Sequence, residues 1–315
     1  MGRNSLFRQQ SPGYNSTIED VGNSAGNRFY VDSGAAGAGD TVGHGRHPDS
    51  PFATIDYAVG QCTANNGDIV YVLHGHTETI SAADGIDLDV AGITIQGLGR
   101  GSVKPTVTLG TATTARLAIA AANVTLRNVR FVSNINDLAE FVNVSADYAE
   151  IEDCEFVTSS TKEAISFIQL ATTKDYLSVR RCRFEQPTDP AGSDGGDGTG
   201  CLYVVDSEYI LFEDCWFAGS FETAIFHNKT TACKHLWVKN CHGIQALSGA
   251  EPFQLVDGAN GAMLGGGFIT PAEAAATEAT LVGTLGAGFF ILPPGNFGND
   301  GAAGGQGGII VATAS

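Results

Sequence analysis

Positive charge is scarce in this sequence: 17 Lys and Arg stand against 34 Asp and Glu in 315 residues, a net charge of -17. That balance repels a phosphate backbone and no Lys/Arg cluster offers a track for one, so nucleic acid is not an expected partner. Long apolar runs are missing too. No stretch reaches the roughly 18 apolar residues a membrane span needs, and the opening MGRNSLFRQQSPGYNST has no apolar signal core. The expectation is a chain made in the cytoplasm, with no membrane partner. The seven cysteines are odd in number and contain no CxxC pair, which argues against a disulfide framework or a structural zinc site. They are expected as free thiols.

What the chain does have is 41 Gly and 43% hydrophobic residues with only 16% charged, the composition of a turn-rich all-β protein. Its length suits one elongated domain. A repeat supports this. VTLRNVRF (124 to 131), AEIEDCEF (149 to 156), YLSVRRCRF ending at Phe184, ILFEDCWF ending at Phe217 and LWVKNCHG ending at Gly243 align without gaps. Their anchors Val129, Cys154, Cys182, Cys215 and Cys241 fall 25, 28, 33 and 26 residues apart, and ITIQGLG at 93 to 99 is a worn earlier copy. Such spacing corresponds to one coil of a solenoid.

Within each copy apolar residues alternate, a polar residue interrupts, and alternation resumes in a new phase, as Val124 and Leu126 are followed by Val129 and Phe131. The pattern predicts strand, sharp bend, strand. Asn128, Asp153, Arg181, Asp214 and Asn240 hold the bend; Asn and Asp tolerate the left-handed backbone of a one-residue corner, and Arg181 departs from that preference. A further strand precedes most copies: AEFVNV, AISFIQL, CLYVV, TAIFH and PFQLV. Three short strands per coil predict a parallel β-helix.

The segment FYVDSGAAGAGDTVGHGRHPDSPFATIDYAVGQCTANNGDIVYVLHGHTET resembles the opening module of the pectin-lyase-like right-handed parallel β-helix superfamily. A first strand leads to Asp32, Ser33 and Gly34, then a Gly-rich loop, a capping helix in SPFATIDYAV, and GDIVYVL opening the first coil. The resemblance implies that the helix plugs the N-terminal end, with Phe52, Ile55 and Val59 on one face. The expected organisation is an arm at 1-27, a capped β-helix of about seven coils at 28-270, and a Gly/Ala-rich β cap at 271-315 covering the last strand edges.

The repeat also assigns side chains to columns. Cys154, Cys182, Cys215 and Cys241 share one position and are expected as a buried structural ladder of small hydrophobes. Arg127, Glu152, Arg180, Glu213 and Lys239 share another and alternate in sign, as do Arg130, Glu155 and Arg183, which reads as a device fixing coil register. Catalysis in the superfamily implies clustered Asp holding Ca²⁺ with an Arg base, or paired carboxylates on an outward strand. Glu150, Asp153, Glu155, Glu213 and Asp214 are the nearest candidates, and Arg180, Arg181 and Arg183 beside them would hold them ionised. No catalytic residue, cofactor or metal is therefore expected. The acidic loop TDPAGSDGGDGTG, with Asp189, Asp194 and Asp197, reads as a surface insertion, and His44, His47, His74 and His76 as solvated imidazoles near a conceivable metal site.

One outward column changes character, from Thr125, Glu150 and Ser178 to Leu211 and Trp237, with Trp216 outward on the next strand. Exposed large apolar groups mark a protein interface or a sugar platform, and Leu211, Trp216 and Trp237 are expected at a subunit contact. The virion branch of the superfamily implies three-fold association. The sequence is thus read as a bacteriophage virion protein, a homotrimeric capsid decoration or cement protein contacting other capsid or tail proteins. Its rival is a tailspike or receptor-binding protein that binds or depolymerises surface polysaccharide; a free-standing pectate lyase comes third.

Overall fold

The computed structural model describes residues 26-158, 162-187, 200-228, 232-246, 250-256, 258-269 and 288-292. They form a parallel β-solenoid in which each coil contributes one strand to each of three sheets. Sheet A stacks Ile69–Val72, Thr94–Gly97, Thr125–Arg127, Glu150–Glu152, Ser178–Arg180, Glu208–Glu213 and the first half of Lys234–Gln245. Sheet B stacks Thr77–Ile80, Thr106–Leu109, Arg130–Ser133, Glu155–Thr158, Arg183–Glu185, Trp216–Gly219 and the second half of Lys234–Gln245. Sheet C runs from Ile86–Leu88 through Leu117–Ile119, Leu138–Val144, Ala164–Leu170, Gly200–Val204 and Ala224–Asn228 to Glu251–Gln254. Seven three-strand coils result among the described residues, and Asn260–Ile269 begins an eighth.

Alternation builds these strands because inward residues of successive coils fall on one another. Phe131, Phe156, Phe184 and Phe217 stack in one inner column at 5.2, 5.0 and 5.1 Å between ring centroids. Phe141 and Phe167 form a second column at 5.1 Å, edge-on to the first. The Phe217 column continues through Gly243, where a Cβ would lie 2.7 Å from the Phe268 ring, so glycine makes room for the next aromatic.

The sharp bend between sheets A and B is a left-handed corner in every copy: φ is 57° at Asn128, 55° at Asp153, 52° at Arg181, 55° at Asp214 and 48° at Asn240. Arg181 adopts the corner despite its side chain. Each corner amide donates to the following coil, Asn128 to Glu152 O (2.9 Å), Asp153 to Arg180 O (3.0 Å) and Arg181 to Glu213 O (2.9 Å), so the bends belong to the inter-coil ladder.

The N-terminal end is closed as the resemblance implied, with two differences. The helix is only Ile55–Val59, capped by Thr54, and buries Ile55, Ala58 and Val59. Phe52 is buried ahead of it in extended backbone bridged to Val31. Asp40 accepts from Ala53 N, Thr54 N and Thr54 Oγ1, which pins the Gly-rich loop to the helix start. Asp68, fully buried, accepts from Asn27 N, Asn27 Nδ2, Thr63 N (2.7 Å) and Asn66 Nδ2 (2.6 Å). Burial opposes its charge, and these bonds prevail and hold its carboxyl below the ordinary range. Asn27, placed with the arm on sequence, is thus tied to the body; the arm ahead of Gly26 lies outside the described residues. So does most of 271-315, whose described part, Gly288–Leu292, pairs parallel with Asn260–Leu264 and extends sheet A.

Candidate functional site

The charged columns fall in register: Arg127, Glu152, Arg180, Glu213 and Lys239 are successive neighbours across sheet A. Glu152 is the hub. Its carboxylate, 8% exposed, meets Arg127 at 2.8 Å, Arg181 at 3.1 Å and Arg180 at 3.4 Å, and Arg180 reaches on to Glu213 at 3.3 Å. The second column, Arg130, Glu155 and Arg183, is also in register, but its pairing differs from simple alternation. Lys104, entering from the loop after Thr94–Gly97, takes Glu155 at 2.9 Å and donates to the Asp153 carbonyl at 2.9 Å. Arg130 is left 3.9 Å from Glu155, and Arg183 turns to Glu185 on its own strand.

These contacts occupy most of the carboxylates singled out on sequence. Asp153 accepts from Arg181 Nε at 2.8 Å and Nη2 at 3.1 Å, and the bond raises the guanidinium's pKa further. Asp214 accepts from Asn240 Nδ2 at 2.6 Å and Glu150 from Thr125 Oγ1 at 3.3 Å. A carboxylate so paired stays ionised and is a poor general acid.

A different group of carboxylates comes together where sheet B turns into sheet C. Asp137, Glu163 and Glu222 line one narrow notch with Gln186 and Ser220. Burial, then the charges of Glu222 and Asp137, push the Glu163 carboxyl up, the environment that keeps an acid protonated. Sequence reading missed it. The available signal was a carboxylate immediately before Leu138 and Ala164 and two residues before Ala224, in loops of unequal length.

The cysteines Cys154, Cys182, Cys215 and Cys241 occupy one buried column. Each thiol donates to the carbonyl two residues back, of Glu152, Arg180, Glu213 and Lys239, at 3.3 Å in all four. Burial pushes Cys182 up, so it stays a thiol at neutral pH. All seven cysteines are free. The histidines divide: His47 is exposed beside Asp49, whereas His76, expected in solvent, is fully buried, with Nδ1 accepting from Ser33 N at 3.0 Å and Nε2 facing Glu78 at 3.3 Å. It fastens the opening loop to the first coil.

The apolar column is where the sequence placed it. Thr125, Glu150, Ser178, Leu211 and Trp237 are consecutive neighbours on sheet A. Trp237 is 39% exposed and Trp216, beside Arg183 on sheet B, 41%. Two residues were missed: Ile244 and Ile269, neighbours on sheet B, are 38% and 64% exposed. The acidic insertion weighed as a cover for this surface lies outside the described residues.

A second aromatic feature also escaped the sequence. Tyr148, Tyr176, Tyr209 and His235 stack at 4.5, 4.7 and 4.5 Å with interplanar angles of 6°, 3° and 1°. All four have positive φ, from 55° to 63°, a conformation that costs about 1 to 3 kcal/mol per residue and is offset in part by stacking of about 0.5 to 1.5 kcal/mol per pair. The rings cover one another's faces, so the column offers edges and hydroxyls rather than a sugar-stacking platform. Its signal was present, two residues before Glu150, Ser178, Leu211 and Trp237.

No protein-family model matches the chain, and no curated protein matches it. Among solved structures, pectate lyase Pel9A superposes with a TM-score of 0.59 at 10% identity, over 89% of this chain and 79% of that one. A rhamnogalacturonan lyase aligns at a TM-score of 0.46 and 14% identity, covering 77% and 73%. ORF18 of Geobacillus virus E2 aligns at 0.38 and 13%, covering 85% and 60%. The likeness to Pel9A establishes the fold, and at that identity it says nothing of the activity.

Proposed function

Starting from a pectin-lyase-like parallel β-helix, we propose that this chain is a bacteriophage virion structural protein, a capsid decoration or cement protein held on the particle surface as a homotrimer. The observation that carries the reading is the exposed apolar group on the last coils, Leu211, Trp216, Trp237, Ile244 and Ile269, on a solenoid whose middle coils wear ion pairs. A surface of that kind is characteristically covered by another chain, and identical copies cover it by closed symmetry. The net charge of -17 keeps such a particle-surface protein soluble and repels non-specific contacts. Quantitative mass spectrometry of purified particles tests the proposal. Hundreds of copies per particle are expected; absence from the particle would refute it.

A second reading, a tailspike or receptor-binding protein that depolymerises polysaccharide, has its own observation in the raised Glu163 beside Asp137 and Glu222. It predicts a small multiple of three copies per particle. It further predicts that wild-type protein releases fragments from host surface polysaccharide and that Glu163→Gln does not.

A further inference from the structure

The strongest concentration of positive charge on this acidic molecule surrounds its largest described cleft, about 530 Å³, at the corner between sheets A and B. Arg100, Lys104, Arg127, Arg181 and Arg183 line it, against the carboxylates of Asp153 and Glu155. From these we infer that the cleft is a binding site for a saccharide-sized ligand bearing separated oxyanion groups, sulfate or carboxylate.

One wall is the loop Leu98 to Lys104, which replaces the one-residue corner of the other coils and carries the 3₁₀ turn Gly101–Val103. It is held in place: Asn128 Nδ2 donates to Gly97 O at 2.9 Å and Gly99 O at 3.0 Å, Gly75 N donates to Val103 O at 2.8 Å, and Lys104 reaches Glu155 and Asp153 O. The opposite wall is the stack of corners at Asn128, Asp153 and Arg181. Both walls are built from fixed backbone, so the cleft exists before any ligand arrives.

The charges around it are not balanced internally. Glu152 must serve Arg127, Arg180 and Arg181 together, Arg183 leans on Glu185, and Arg100 is exposed with no ion pair. Just behind, Arg130 Nε is buried without a hydrogen-bond partner. Guanidinium groups with spare donors select oxyanions, which they bind in bidentate fashion. No aromatic ring lines the cleft, which disfavours a neutral sugar held by stacking. Arg127 and Arg181 stand two coils apart, roughly 10 Å, a spacing that suits charges on successive sugars better than the contiguous phosphates of a nucleotide tail. The volume lies within the roughly 300 to 1,000 Å³ of small-ligand sites. A net charge of -17 repels a long polyanion from the rest of the surface, so the site suits a short oligosaccharide or the end of a chain.

The site is independent of the virion reading and lies on the other side of sheet B from the Glu163 notch. Calorimetric titration of the full chain at low and physiological salt tests it with a sulfated heparin-derived tetrasaccharide, trigalacturonate, maltotetraose and inorganic sulfate. Binding of the sulfated or the carboxylated probe is expected, weakening as salt rises, with none for maltotetraose; which probe binds tighter identifies the oxyanion. Arg100→Glu, at an exposed residue whose loss breaks no ion pair, should weaken binding roughly ten-fold or more. Arg183→Gln should act in the same direction, and Lys234→Ala, at a distant ion pair with Glu208, should change nothing. Failure of both charged probes at low salt, equal binding by the Arg100→Glu protein with an unchanged melting curve, or sulfate binding as tightly as the tetrasaccharide would overturn the inference.

Discussion

Coils three to five and coils six to eight have the same kind of interior and opposite exteriors. Inside, one column of phenylalanines runs through both, from Phe131 to Phe217 and on to Phe268. Outside, coils three to five present Arg127, Glu152, Arg180, Arg130, Glu155 and Arg183, whereas in the same columns the later coils present Leu211, Trp237, Trp216 and finally Leu264. The difference shows that the inner column specifies the solenoid, while the outer columns are free to carry different tasks. Ion pairs fix register in the middle and surround an anion-selective cleft; the apolar end awaits another chain.

The first way to break this comparison is through the shared interior. Phe156→Ala in coil four and Phe217→Ala in coil six should each cost about 3 to 5 kcal/mol in chemical denaturation. A cheap substitution at one and an expensive one at the other would mean the halves are not built alike. Acid sharpens the comparison next. The Asp68 carboxyl is held below its unfolded value of roughly 3.9 by four hydrogen bonds, so its stabilisation is fully present above that pH and is lost as pH falls through the folded value. Hydrogen exchange followed from neutral pH to below 3.9 should therefore open the first coils before the last ones, and Asp68→Asn should lose about 2 to 4 kcal/mol at neutral pH. Smaller effects separate the charged columns. Glu152→Gln strips three guanidiniums of a nearly buried partner and should cost about 1 to 3 kcal/mol, against about 0 to 1 kcal/mol for Glu213→Gln at a half-exposed pair. Smallest of all, Leu211→Glu with Trp237→Glu should change the stability of the isolated fold by no more than about 0.5 kcal/mol.

What the sequence disclosed follows the same division. Columns set by the repeat were legible down to the residue: the corner residues, the buried cysteines, the alternating charges and the step to Leu211 and Trp237 all occupy the registers their spacing implied. Arg181 shows why a preference is weaker than a pattern, because the inter-coil hydrogen bonds and the Asp153 contact hold an arginine in a corner suited to Asn. Groups brought together by loops of unequal length were not legible. Lys104 reaches Glu155 from another coil's insertion, Asp137, Glu163 and Glu222 converge from three different connections, and His76 is buried because the opening loop folds over it. The tyrosine ladder is the exception. It lies in a regular column and was overlooked because tyrosine is not expected at positive φ.

The account turns on whether the apolar exterior of the last coils is a contact between copies of this chain, and analytical ultracentrifugation of the full protein measures that directly. The wild-type chain should sediment at about three times its 32.7 kDa monomer mass, and the Leu211→Glu, Trp237→Glu protein at the monomer mass with its circular dichroism unchanged. A wild-type monomer, or a trimer indifferent to both substitutions, would contradict it.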